Sequence, residues 1–350
     1  MTEKVKYLIV GQGLSGTWLS YYFSKQHISY KIINDSSLKS ATSVASGVIN
    51  PVTGRRIVQT WKIDSILPFA IDAYVALQEK INQLVFSSAP ILLIHPSQQM
   101  KESFDYRIAH DNVYLQKTDA KNWQDFFKVH EGMGMIKDCY WIDLNTMVHG
   151  WRKYLQEQEH YIEGRFLMAD FSFTENSVSW KNINAEKIIF CDGAYAMQLP
   201  FFNNLPFAPN KGEALIVRIP GLSQKHIYKS NMTLVPWKED LFWVGSIYEW
   251  NYENEAPTEA FKNKMETQLK QLLQIPFEII DHIVGIRPAN LERRPFVGIH
   301  PIHNSIAICN GMGTKGCSLA PYFAQQLVQF LETGTPIDSE ADIHRFAKDI

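Results

Sequence analysis

Gly11-Gln12-Gly13-Leu14-Ser15-Gly16 is the first stretch of the chain whose residue types and spacing can do chemistry. Glycine at the first position permits a tight turn out of a strand. At the second it lets the backbone approach a phosphate, and at the third it lets a helix pack closely on that strand. The helix that follows would offer free N–H groups and a partial positive charge to a pyrophosphate. The pattern predicts a dinucleotide site contacted by Gly11, Gly13, Leu14, Ser15 and Gly16. An acidic residue at the end of the next strand ordinarily binds the ribose hydroxyls. Spacing puts Asn34 there, followed by Asp35. An amide is a weaker partner than a carboxylate. Asp35 takes the role if the strand end shifts by one residue; otherwise it is a solvated turn residue in the run Asn34 to Ser37. Both readings stand.

Two basic residues near the C-terminus are the other chemical candidates. Arg287, in Gly285-Ile286-Arg287-Pro288, carries a planar fork that can grip both oxygens of a carboxylate, or it bonds backbone carbonyls in a loop. Lys315 lies in Asn310-Gly311-Met312-Gly313-Thr314-Lys315-Gly316, where bare glycine N–H groups and an ammonium at a helix entry suit developing negative charge. Its other reading is a solvated lysine. Arg55 and Arg56 are either basic residues beside a ligand or a solvated turn.

Other classes are disfavoured. Cys139, Cys191, Cys309 and Cys317 form no CxxC pair, which argues against a zinc cluster or disulfide framework. Cys317 reads as a small buried residue. His300 and His303 have no further ligand nearby in sequence and read as surface histidines. No metal site is expected. A net charge of −2 without a long basic run argues against nucleic-acid binding. No apolar run is long enough to span a bilayer, no signal peptide is visible, and a cytoplasmic protein is expected.

The elements that must position these residues can be read from periodicity. Lys4–Val10 is a buried strand and Thr17–Lys25 a helix, with Tyr30–Ile33 a second strand: the β-turn-α-β context the glycine pattern requires. Helices are predicted over 64–81, 146–159, 258–273 (with Thr258 as cap) and 319–331. Segments 90–141, 171–189 and 214–252 read as strands and turns, and two strands follow near 295–299 and 305–309. Trp243, Tyr248 and Trp250 lie on one strand-like run, where period two makes core packing the leading role for Trp243.

Four stretches together resemble the D-amino-acid oxidase superfamily of FAD enzymes, especially its glycine oxidase and sarcosine oxidase branch. They are Gly11–Gly16; Thr42-Ser43-Val44-Ala45-Ser46-Gly47-Val48 with Asn50-Pro51; Lys187 to Ala194, which includes Cys191 and Gly193; and Gly285–Pro288 with Arg294–Gly298 and Asn310–Gly316. The resemblance implies an α/β fold. A discontinuous Rossmann-like FAD lobe would comprise 1–85, 145–205 and 283–350, and an inserted, mainly antiparallel substrate lobe 86–144 and 206–282. It implies FAD contacts from Thr42, Ser43, Gly47, Val48, Cys191, Gly193, Gly311, Gly313, Thr314 and Lys315, and a substrate carboxylate bound by Arg287. Lys315 matches a carboxylate-binding lysine of sarcosine-oxidase-like members, while glycine-oxidase-like members use an arginine at the position of Thr314. No cysteine stands near Arg287, where some relatives attach the flavin, so FAD is expected to be non-covalent. The implied reaction is oxidation of a small amine or amino acid by hydride transfer to flavin N5, with oxygen or another electron acceptor. Sarcosine oxidases carry an oxygen-activating lysine at the position of Trp243, and its absence predicts slow reaction with oxygen. The alternatives are oxidation of a modified tRNA base, or a non-enzymatic flavin-binding protein.

Overall fold

A computed structural model describes residues 2–110 and 113–350. Its architecture follows from strands buried on both faces. Tyr7, Leu8, Ile9 and Val10 are all buried. That is the pattern of a parallel strand covered by helices on one side and further chain on the other. Period two divides the residues cleanly. Tyr7, Ile9, Ile32, Ile189, Ala307 and Cys309 enter one core, while Leu8, Val10, Ile33, Ile188, Phe190 and Ile308 enter the other.

The first sheet has eight strands. Tyr161–Glu163, Tyr30–Asn34, Glu3–Val10, Ile183–Phe190 and Ile306–Asn310 run parallel, side by side. Phe296–Ile299 pairs antiparallel at one side, and Val178–Trp180 with Phe171–Phe173 continues from the long central strand. Helices Leu14–Lys25 and Gly316–Thr333 pack together against this sheet, and Ile63–Ile81 lies on the second of them. The lobe is thus assembled from the start, middle and end of the chain.

The second sheet also has eight strands, in the order Glu278–Arg287, Asn210–Arg218, Leu241–Gly245, Thr233–Lys238, Ile227–Lys229, Ile91–Ile94, Met133–Ile136, Leu115–Lys117. All its pairs are antiparallel except Ile227–Lys229 with Ile91–Ile94. Helix Glu259–Leu272 covers one face with Phe261, Met265, Leu269 and Leu272. Thr258 caps it, its Oγ1 accepting from Phe261 N at 3.3 Å. The fold is therefore a Rossmann-like lobe with an inserted antiparallel sheet. Strand Glu278–Arg287 belongs to the second sheet along its whole length and crosses the boundary expected at residue 283.

Two elements depart from expectation: the strand-like run stops at Gly245, leaving Tyr248 and Trp250 in the loop that follows, and a helix stands where strands and turns were expected. Gln98–His110, inside the stretch read as strands and turns, is a 13-residue helix. Phe104 is its one fully buried residue, and Met100 and Ile108, a turn to either side, pack half-buried on the same core, so the apolar stripe is only three residues long in a mostly polar run. The Phe104 ring fills the space a side chain at Gly134 would need.

Candidate active site

The glycine turn has the shape a dinucleotide requires. Gly11 sits at φ +94°, and a Cβ there would come within 2.8 Å of the Cys191 carbonyl. A Cβ at Gly16 would be driven into the Gly11 carbonyl, so only glycine lets the helix start this close to the strand. Gly13 gives the helix no side-chain cap, and its first turn holds no acidic residue. This is an anion-ready helix end, and Leu14, Ser15 and Gly16 form its first turn.

The crevice is closed on one side by Ala41–Val44, a short helix packed on strand Glu278–Arg287. Thr42 Oγ1 accepts from Leu14 N at 3.1 Å, tying this segment to the glycine turn. Ser43 N is capped by Ser40 Oγ at 3.1 Å, and Asn145 Nδ2 donates to the Ser43 carbonyl at 3.3 Å. Gly47, at φ +75°, has no room for a Cβ against the Ile142 carbonyl. Val48 pairs with Trp141 beside it. Trp243 is buried as expected, but packing is not its whole role. Its Nε1 donates to the Val44 carbonyl at 3.0 Å, so the second lobe fixes the backbone of the small-residue segment.

Asn34 and Asp35 are separated by their partners. Asn34 Oδ1 accepts from Gln12 N at 2.9 Å, inside the glycine turn, and its Nδ2 donates to Tyr161 Oη at 3.2 Å. Asp35 accepts from Ser37 N at 3.0 Å and caps its own turn. Sequence reasoning missed the neighbours that complete this corner. Arg152 Nε donates to Gln12 Oε1 at 2.6 Å, and Glu163, in register with Asn34, accepts from Ser36 N at 2.8 Å. Strand Tyr161–Glu163 is three residues long and carries no periodic signal, which is why Glu163 gave no hint.

Cys191 and Gly193 lie where the long central strand ends, beside Asn310 of the neighbouring strand. Asn310 Nδ2 donates to the Gly193 carbonyl at 2.9 Å. Among the described residues Asp192 between them has no cationic partner; burial raises its carboxyl to about 7. Gly311 and Gly313 have positive φ, at +73° and +55°, and open the turn into the last helix. The buried Asn290 braces that turn, donating to the Gly311 and Arg294 carbonyls at 2.9 and 2.7 Å.

Arg287 ends the edge strand and lies over Gly212, where a Cβ would collide with its guanidinium. Nη1 donates to Asn210 Oδ1 at 2.7 Å and to the Ile247 carbonyl at 3.0 Å; Nη2 donates to Ser246 Oγ at 2.8 Å. The Tyr248 ring covers it at 4.7 Å. All these acceptors are neutral, and among the described residues no carboxylate lies in salt-bridge range. Burial lowers its pKa, opposed by Tyr248. Asn210 and Ser246 were not expected from sequence, since a cross-strand partner 77 residues away leaves no local pattern. A cleft of about 850 Å³, open to solvent, flanks the same loop between Ala208–Pro209 and Trp250–Glu253.

Lys315 Nζ donates to Thr60 Oγ1 at 3.3 Å, and Thr60 Oγ1 donates in turn to the Asn50 carbonyl at 3.1 Å. Burial, then repulsion from Lys229, lowers Lys315 to about 8. Lys229, on a strand of the second sheet, was not expected here; its pKa is lowered too, by burial. Thr314 is exposed, and so are Arg55 and Arg56, which sit in the turn between strands Val52–Thr53 and Val58–Gln59.

His300 corrects its expectation. It is buried, not a surface residue. Its Nε2 lies 3.1 Å from the Phe201 carbonyl, and Nδ1 accepts from Ile302 and His303 amides at 3.1 and 3.2 Å, so the ring organises a turn. The four cysteines are buried thiols, with burial raising Cys317 to about 12. Among the described residues no group of three or more His, Cys, Asp or Glu is placed to hold a metal, and no helix is long and apolar enough to cross a membrane.

The glycines that would clash with any Cβ, the helix end whose N-cap residue Gly13 has no side chain, and the small-residue segment pinned above it by Thr42 fit a flavin dinucleotide along the crevice. Comparison with known proteins agrees. The chain is 20% identical to glycine oxidase of Bacillus licheniformis, over 97% of this chain and 96% of that protein. The crystal structure of glycine oxidase from Bacillus cereus superposes with a TM-score of 0.79 at 15% identity, covering 99% of this chain and 98% of that one. Iminodiacetate oxidase from Chelativorans sp. BNC1 superposes with a TM-score of 0.75 at 17% identity, covering 95% and 96%. The family model described as DAO, FAD dependent oxidoreductase, matches residues 6–330, and the chain belongs to that family of flavoenzymes.

Proposed function

We propose that this enzyme oxidises a small amine that carries a carboxylate, such as an amino acid or N-alkyl amino acid, at the carbon beside nitrogen. The observation that carries the reading is Arg287: a half-buried guanidinium held rigid by neutral acceptors, with no carboxylate of its own. A cation desolvated in this way calls for an anionic ligand. Three of its five N–H donors are committed to Asn210, Ile247 and Ser246, which leaves two, the number a bidentate carboxylate takes. Bound FAD supplies the hydride acceptor, and water hydrolyses the imine product. The protein's contribution is positioning: Arg287 fixes the carboxylate end of the substrate, and the second sheet holds the Val44 carbonyl in place through Trp243.

Gly11, Gly13 and Gly16 would line the pyrophosphate, with Leu14 and Ser15 at the helix end and Thr42, Ser43, Gly47 and Val48 alongside. Asn34, whose side chain already faces the glycine turn, is the ribose candidate of the pair, and Glu163 offers the carboxylate that position lacks. Cys191, Gly193, Gly311, Gly313, Thr314 and Lys315 would border the cofactor from the other strand ends. No cysteine lies near Arg287, so the cofactor is held without a covalent bond, and the electrons pass to oxygen or another acceptor. Relatives named as glycine oxidase and iminodiacetate oxidase support the substrate class.

The test is an anaerobic screen of amino acids, N-methyl amino acids and amines without a carboxylate, read as bleaching of the flavin absorbance. Bleaching confined to carboxylate-bearing amines supports the reading. Equal bleaching by the carboxylate-free amines, or by none of the set, would overturn it.

A further inference from the structure

Strand Asn210–Arg218 has two working faces. Asn210 and Gly212 face Arg287, one as a hydrogen-bond partner and one as open space. By period two, Lys211 and Glu213 point to the opposite face. Both are buried, at 2% and 1% exposure. Lys211 Nζ lies 3.5 Å from Glu213 and 3.7 Å from Glu249. Glu213 also accepts from Thr258 N and Thr258 Oγ1, each at 2.8 Å, and stands 2.8 Å from His282 Nε2.

These partners bracket one loop. Residues 246–258 connect strand Leu241–Gly245 to helix Glu259–Leu272. The start of the loop supplies Ser246, Ile247 and Tyr248 to Arg287. The next residue, Glu249, is tied to Lys211 by backbone hydrogen bonds in both directions, at 2.9 and 3.0 Å, as well as by charge. At the far end, Thr258 hangs on Glu213. Burying two ions is costly, and an apolar pair of similar volume is often as stable, so stability does not account for this pair. The backbone bonds to Glu249 do not depend on the side chain at 211; what an apolar pair could not do is also hold the Glu249 carboxylate and the Thr258 amide and hydroxyl in fixed directions.

We propose that Lys211 and Glu213 are positioning residues that clamp both ends of the 246–258 segment and so hold the Arg287 fork in the geometry that receives a carboxylate. The inference rests on the reading of Arg287 as the carboxylate anchor. Neither residue touches substrate; each acts through the loop.

The test uses holoenzyme and two readouts. One is cleavage of the native protein at Glu253 and Glu255 by a Glu-specific protease, mapped by mass; this reports loop opening. The other is the dissociation constant of acetate, read from the flavin absorbance. Lys211→Met is expected to speed cleavage about tenfold. It is also expected to weaken acetate about fivefold while FAD content is unchanged. Lys211→Arg should restore both. Glu249→Gln alters a partner whose side chain is 36% exposed, so its fold is safe, and it should move both readouts in the same direction by less. Cleavage of Lys211→Met no faster than wild type overturns the proposal. If Lys211→Met cannot be isolated with FAD, unchanged cleavage of Glu249→Gln overturns it instead. Failure of acetate to bind wild-type enzyme would sink the reading of Arg287, while the cleavage rates still decide whether the ion pair holds the loop.

Discussion

Arg287→Ala should damage use of a carboxylate substrate far more than it damages FAD binding. The magnitude follows from the donors. Asn210, Ile247 and Ser246 occupy three N–H groups, so two remain for a ligand. Hydrogen bonds to a charged group contribute about 1.5–3 kcal/mol each. The site is not sealed, since Tyr248 on the outer side is 58% exposed, and solvent reduces the sum. Breaking such a pair costs about 2–5 kcal/mol, hence a fall in kcat/KM of at least about thirtyfold. The yellow colour should persist, because the bonding partners of Arg287 are Asn210, Ser246, Ile247 and Tyr248 and not the glycine turn. Arg287→Lys should recover little: a lysine cannot span Asn210, Ile247 and Ser246 and still present two parallel donors. The assay is anaerobic rapid mixing, comparing an amine that carries a carboxylate with the same amine lacking it. If both substrates lose equally, or neither loses, Arg287 is a brace for the 246–248 backbone and the reasoning fails.

Other expectations follow from the same geometry. Gly13→Asp should give colourless protein of near-normal melting temperature in the FAD-free state, because a Cβ there lies 3.2 Å from Thr42 Oγ1 and its carboxylate would oppose a pyrophosphate; retained FAD would refute the crevice assignment. Acid precipitation should release all the pigment as FAD, and colour left in the pellet would contradict non-covalent binding. Trp243→Phe loses the bond to the Val44 carbonyl, about 1 kcal/mol, and should weaken FAD several-fold in a dilution titration; an unchanged titration would reduce Trp243 to packing. For Lys315, folding lowers the pKa from 10.5 to about 8, so the unfolded chain binds the proton more tightly and stability of FAD-free protein rises as pH climbs between those values. Lys315→Met should flatten that rise and stabilise the FAD-free protein at pH 7 by about 1 kcal/mol, discounted because the side chain is only partly buried; melting curves at pH 7 and 10 that match wild type would refute it.

Much of the fold was legible because it rests on local rules. The glycine turn must be glycine: Gly11 needs positive φ and Gly16 has no space for a Cβ, and such demands are written at fixed spacing. The helix capped by Thr258 announced itself by its cap and its period. The helix Gln98–His110 did not, since its apolar face is just Met100, Phe104 and Ile108 in a mostly polar run, and the seat of Phe104 under Gly134 is a contact between elements. The site divides the same way. Sequence named Arg287 and Lys315 from the motifs around them, but their environments are made by partners far along the chain. Asn210 and Ser246 orient Arg287, burial and then Lys229 depress Lys315, and Trp243 reaches the Val44 carbonyl 199 residues away. Residue type and spacing therefore determined which groups could do chemistry. Only the tertiary structure decided their direction, charge state and bracing, because hydrogen bonds and desolvation depend on what the fold brings within a few ångströms.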